Sequence, residues 1–425
     1  GEQIGSKRGG KAPRVLPPEN ADRHSGFYPA GVPEDCNRTA GEVTQNSRGF
    51  SGLTLGRSCA ACSKIIFCPD RLSLPFPGAG PQRAEVKCVR SAKLVAPKQI
   101  RIFEDRMPLP TEGEVLVRVK AAGICGSDLH IYRGERSDVA LPRILGHELV
   151  GEVESVGSGV TRFSRGDRVT VDPVVSCGKC VSCRRGYDNL CSSVKCLGVQ
   201  VDGGYCDYIA VPEEKVYSLP SGLAWEKAAL IEPFSIGAEV LARSEVREGD
   251  KVLVIGAGTI GLCILQAMKL AGAEVLITDF ADSRLKAAET LGADKTVNGR
   301  TGDLAAALAD FTGEFGADVV VEAVGMPRLL EESLGYAAPG GRIVVLGFHP
   351  EPAKIPEVIV VKKELKIVGS RMNCRRFPQV IEWFEKGQVN PEPLISAVYP
   401  FEKIDTAFRE ILEDPEKYLK VLITY

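Results

Sequence analysis

Histidine is scarce in this chain, four in 425 residues, so a histidine set inside a patterned stretch carries weight. No apolar run approaches the roughly 20 residues that a membrane-spanning helix needs. Nor does a basic segment lead into the apolar core of a signal peptide, so a cytoplasmic location is the expectation. Lysine and arginine form no stripe and the formal net charge is only -2, which removes the electrostatic footprint of a nucleic-acid binder. What is present, 44% hydrophobic and 25% charged residues, suits a globular protein with room for two separate cores.

Cysteine is not scarce. There are fourteen, but the chain is too long for the disulfide framework of a small secreted domain. Four of them crowd into "CGKCVSCRRGYDNLC", which is the clustering a metal site needs, and reduced thiols follow.

The chain divides by composition. Residues 1–85 are Pro/Gly/Arg-rich without sustained periodicity, and Cys59, Cys62 and Cys68 there lack an obvious fourth ligand. This stretch is expected to be an extension outside the fold or a targeting segment, with folding starting near Val86. From there to 240, "GEVLVRVKAAGIC", "HELVGEVESVG" and "DRVTVDPVV" each read as a strand. From 241 to 370, strands such as "KVLVIGAG" and "ADVVVEAVG" alternate with helices such as "TIGLCILQAMKLAG", which specifies an α/β, doubly wound parallel sheet. Residues 371–425 are expected to rejoin the first domain.

Gly256, Gly258 and Gly261 stand in G-x-G-x-x-G spacing between a strand and a helix, with Ile260 inside the turn. The first allows a tight turn, the second lets amides approach a pyrophosphate, and the third lets helix and strand pack closely. Asp279, 18 residues after Gly261, ends the next strand, where a carboxylate binds ribose hydroxyls and repels a 2′-phosphate. NAD is therefore favoured over NADP, with Arg284 nearby as the opposing feature. The competing reading is a set of turn glycines and a surface aspartate.

Cys177, Cys180, Cys183 and Cys191 follow C-x2-C-x2-C-x7-C, four thiolates able to enclose a structural zinc ion. A second constellation surrounds "GHELVG": Cys125, Ser127 and His130 precede His147 and Glu148, and Glu232 follows in "ALIEPFSIG". One thiolate, one imidazole and one carboxylate leave a coordination position open for catalysis. His147 alone reads better as a satisfied core histidine, and its company reverses that reading.

At these residues the chain resembles the zinc-containing medium-chain dehydrogenases, the superfamily of alcohol, sorbitol and threonine dehydrogenases. The resemblance runs from about residue 86 to the C-terminus. It implies a GroES-like catalytic domain beside a Rossmann domain, with the active site in the cleft between them. It also implies a homodimer or homotetramer, and a catalytic zinc held by Cys125, His147 and either Glu148 or Glu232. Many alcohol dehydrogenases carry Cys where Glu232 stands, which brings this chain nearer to the sorbitol and threonine branches. The 85-residue extension departs from the family.

The activity so implied is NAD-dependent oxidation of a secondary alcohol, with the proton leaving through Ser127, the cofactor ribose and His130. "GSRMNCRRFPQVIEWFEKGQV" resembles dehydrogenases acting on sugar acids such as gulonate or galactonate, which makes a polyol or sugar acid the expected substrate. Arg371 and Asn373 are candidates to bind it. Three other readings compete: an L-threonine or other alcohol dehydrogenase of the same family, a zinc-free quinone or enone reductase on the same fold, and a nucleotide-binding regulatory protein without turnover.

Overall fold

The computed structural model describes residues 87–425. The expected extension, with Cys59, Cys62 and Cys68, lies outside the described residues.

The valine-rich strand Glu114–Ile124 is the centre of a seven-stranded sheet. It pairs antiparallel with Glu148–Val156 along one side, and with Tyr208–Pro212 and the C-terminal strand Lys420–Thr424 along the other. The last strand of the chain thus returns to the first sheet. "DRVTVDPVV" forms two strands rather than one, Arg168–Val171 and Val174–Val175, broken at Asp172 and Pro173. Proline has no amide hydrogen to offer a ladder, so the run cannot continue through it. Val174–Val175 pairs instead with Lys195–Cys196 and brackets the cysteine-rich lobe.

Six parallel strands form the second sheet, in the order Lys295–Asn298, Glu274–Asp279, Lys251–Ile255, Ala317–Glu322, Ala337–Val345, Lys366–Gly369. Val252, Leu253 and Val254 are fully buried, as expected of strands covered by helices on both faces. The order reverses between Lys251–Ile255 and Ala317–Glu322, and ligands of such sheets bind outside the carboxyl ends at that switch point. This is an α/β chain with a β-rich part and a Rossmann-type part.

Helix Ile231–Ser244 ties the two together. One apolar cluster runs from Ala121 and Val150 of the first sheet, through Phe234, to Val252 and Val254 of the second. Phe234 packs edge-on against Phe384 at 5.2 Å, and its burial contributes about 2–3 kcal/mol. Among the described residues no helix is long and apolar enough to cross a membrane.

Candidate functional site

Cys125 directly follows the central strand and serves as N-cap of helix Gly126–Arg133. On the neighbouring strand, Glu148 begins Glu148–Val156 with His147 immediately before it, and the register sets Glu148 opposite Gly123. Cys125, His147 and Glu148 each offer a ligand atom within 4.8 Å of the others, and His147 and Glu148 are buried. Glu232, in the first turn of helix Ile231–Ser244, is buried nearby but is not part of that cluster. Burial pushes its carboxyl up to about 8, against the pull of His147 and with a further push from Glu148.

Two residues that the linear pattern did not single out organise this cluster. Asp128 is fully buried, and its Oδ1 lies 3.5 Å from His147 Nδ1. Neither of these two atoms has a hydrogen-bond partner elsewhere, so on this side Nδ1 and Oδ1 have only each other. Asp128 Oδ2 accepts from the Cys125 amide and from the Tyr205 hydroxyl, each at 3.0 Å. Burial alone would raise the Asp128 carboxyl; the His147 charge and these donors hold it below the ordinary range instead. The imidazole is thereby oriented with Nε2 toward Cys125 and Ser127, whose Oγ is 3.5 Å away.

Lys420 is the second. Its Nζ donates to both oxygens of Glu148, at 2.6 and 2.7 Å, and to the Ile124 carbonyl at 3.0 Å. The two side chains meet over Gly123, where a Cβ would stand 1.9 Å from Glu148 Oε2, so only glycine leaves room. Burial works against the ammonium, and the Glu148 charge outweighs it, so Lys420 stays above its usual range.

The donor set of thiolate, imidazole and carboxylate, with the far side of the imidazole backed by Asp128, fits zinc. Tyr205→Phe removes one donor from Asp128 with little change of shape. Expected is a fall in zinc affinity at this site of roughly tenfold, within the range for outer-shell partners. Competition with a chelator measures it.

The second metal centre is the lobe Cys177–Cys191, whose four sulfurs also lie within 4.8 Å of one another. Main-chain amides are aimed at them: Cys177 and Ser193 donate to Cys191 Sγ at 3.3 and 3.4 Å. Amides of Cys183 and Ser192 draw Cys180 down to about 5, and that of Cys177 draws Cys191 down to about 7. Burial and the neighbouring sulfurs push Cys183 up to about 11. Such a set is prepared for thiolates and completes its deprotonation on binding a metal.

At the dinucleotide turn, Gly256 has φ +103°, and a Cβ on Gly261 would stand 1.8 Å from the Gly256 carbonyl oxygen. Gly258 caps helix Thr259–Leu270, with open space where its side chain would be. Ile260 sits in the first helical turn against the core. Asp279 Oδ2 accepts from the Ala257 amide at 2.8 Å, which places the carboxylate against the turn. Arg284 Nη1 is 3.8 Å from Asp279, while its Nη2 donates to the Pro415 carbonyl at 2.6 Å. These features fit an adenine dinucleotide. Val324 and Phe348, exposed apolar side chains just beyond the carboxyl ends of Ala317–Glu322 and Ala337–Val345, stand at the same edge.

His130 is exposed, and its Nδ1 lies 2.5 Å from Glu135 Oε2. Arg371 is exposed just past the end of strand Lys366–Gly369, and among the described residues its guanidinium has no ion-pair or hydrogen-bond partner. Asn373 is not free in this way. It is 1% exposed, donates to Asp172 Oδ1 at 3.1 Å and accepts from the Arg376 amide. Its carboxamide is used within the protein, which makes it a brace rather than a binder of hydroxyls.

A Rossmann-type sheet, a second β-rich domain and two metal centres define a zinc- and nucleotide-dependent dehydrogenase acting on CH–OH groups. Residues 111–221 match the alcohol dehydrogenase GroES-like domain family, and residues 259–386 match the zinc-binding dehydrogenase family. The starvation-sensing protein RspB of Escherichia coli K12 is 40% identical over 341 residues, covering 79% of this chain and 99% of that protein. A sorbitol dehydrogenase of Bacillus subtilis is 36% identical over 345 residues, covering 79% of this chain and 97% of the enzyme. The crystal structure of the rspB alcohol dehydrogenase from E. coli CFT073, complexed with NADH, superposes with a TM-score of 0.76 at 39% identity over 80% of this chain and 99% of that one. This chain belongs to the zinc-containing medium-chain alcohol dehydrogenase family.

Proposed function

We propose that the protein oxidises an internal secondary hydroxyl of a polyol or sugar acid to a ketone, with NAD as acceptor. The observation that carries this reading is the convergence of Cys125, His147 and Glu148 beside a further buried carboxylate, Glu232. Glu232, a buried carboxylate beside the metal ligands, favours a hydroxyl-rich substrate that can pair with it, where a small apolar alcohol cannot. Zinc held by Cys125, His147 and Glu148 supplies a Lewis acid toward the substrate hydroxyl, and the nicotinamide supplies the hydride acceptor.

The chain's own groups manage the proton. Ser127 Oγ, beside His147 Nε2, takes it from the substrate hydroxyl while passing its own hydroxyl proton on by way of the cofactor ribose toward His130. His130 is exposed on the same helix with Nδ1 engaged by Glu135, which leaves Nε2 to exchange protons with solvent. Arg371 is available for a substrate carboxylate, for which the planar guanidinium is well suited.

A panel of sorbitol, xylitol, L-gulonate, L-galactonate, L-threonine and ethanol tests the reading on wild type and Arg371→Ala. Polyols or aldonates are expected to lead, with ethanol poor and Arg371→Ala weakening aldonates selectively. Ethanol as the best substrate, or threonine far ahead of every sugar derivative, would overturn it. Equal damage to aldonates and polyols would remove the carboxylate role of Arg371.

Cofactor choice is separately testable. Asp279→Ser removes the carboxylate that repels a 2′-phosphate, so NAD use should fall and NADP use rise, shifting their ratio by roughly tenfold or more. An unchanged NAD/NADP ratio would move the selection to another residue.

A further inference from the structure

Between strand Lys366–Gly369 and helix Phe377–Glu385 the chain crosses from the nucleotide sheet back toward the first domain. This crossing holds two non-glycine residues in the left-handed region, Met372 at φ +53° and Arg375 at φ +59°. Such conformations persist only where surrounding contacts over-determine them. Most of those contacts come from one place. Asn189 Nδ2 donates to the Arg371 carbonyl at 2.9 Å, and Cys374 Sγ to the Gly186 carbonyl at 3.1 Å. The Arg375 guanidinium meets Asp188 through two bonds, at 2.7 and 3.2 Å. Gly186, Asp188 and Asn189 all belong to the loop between Cys183 and Cys191. Asn373 and Arg376 complete the grip on Asp172 and Glu239.

We propose that the four-cysteine lobe is a clamp for the segment carrying Arg371, and that Asp188 and Asn189 are positioning residues for the ligand crevice. The lobe holds the Arg371 backbone and leaves the guanidinium available, so the clamp sets where the side chain starts from and a ligand sets where its charge ends. A metal ion closing the lobe rigidifies the 183–191 loop and, through it, residues 371–375. The effect on substrate rests on the proposed contact of Arg371 with the substrate; the clamp itself does not.

Asp188→Asn, Asn189→Ala and Arg375→Gln, made in the full chain, test the clamp by hydrogen exchange of amides 370–376 and by kinetics with L-gulonate. Expected is exchange faster by roughly tenfold, with KM for L-gulonate up about fivefold and kcat within about twofold. Asp188→Asn and Arg375→Gln should also be non-additive, since either one breaks the same pair. Asp188→Asn is isosteric and so keeps the test open should Asn189→Ala disturb folding. Wild-type exchange in variants that retain their zinc would overturn the clamp, and faster exchange with unchanged KM would overturn its role in positioning. If the clamp variants raise KM while Arg371→Ala does not, the clamp stands and the substrate contact of Arg371 fails.

Discussion

Cys125→Ser should leave a folded protein whose kcat/KM is lower by roughly a thousandfold, since a Lewis acid contributes several kcal/mol to the transition state. The fold is expected to survive for a local reason. Cys125 is the N-cap of helix Gly126–Arg133, and its amide is held by Asp128 in a capping box. Serine is a better N-cap than cysteine, so the helix start is preserved while the thiolate is lost. Activity measured beside a thermal melt checks both halves. A variant with near wild-type turnover would remove Cys125 from the site.

Cys177→Ser should do the reverse. In the lobe, little apolar core holds the chain: Val181, Tyr187 and Leu190 are exposed, and the elements are a four-residue helix and a three-residue 3-10 turn. Closure by a metal is then the main stabilising interaction, since metal binding to a closed site is folding free energy. Loss of the ion is expected to cost about 3 kcal/mol or more, with a fall of several degrees in Tm. Residual turnover at low temperature should persist, because the Cys125 cluster is built from other strands. Circular dichroism melts with and without chelator check this. Unchanged melts would show that the lobe needs no metal.

What was legible from sequence is what lies close together along it. The glycine turn and the four cysteines are short-range patterns in which each residue has a stated geometric duty, and the strand–helix alternation of 241–370 follows from its valine-rich runs. Asp128 was passed over because one acidic residue near a helix start reads as a cap; its contacts with His147 and Tyr205 depend on register across the sheet. Lys420 was less visible still. Within "YLKVLITY" it reads as an edge charge on an apolar strand, and its pairing with Glu148 spans 272 residues. Glu148 and Glu232 could not be separated by spacing alone, whereas the geometry groups Glu148 with Cys125 and His147. Asn373 shows the opposite failure: its place near the cleft suggested a ligand contact, but burial commits its carboxamide to Asp172.

Two candidate metal centres with different duties coexist in this chain. Zinc content per chain, measured by elemental analysis on wild type, Cys125→Ser, Cys177→Ser and the double variant, decides whether both are filled. Two ions are expected in wild type, one in each single variant and none in the double, because the two ligand sets share no residue. A Cys125→Ser protein that retained every zinc ion of the wild type would show that Cys125 holds none.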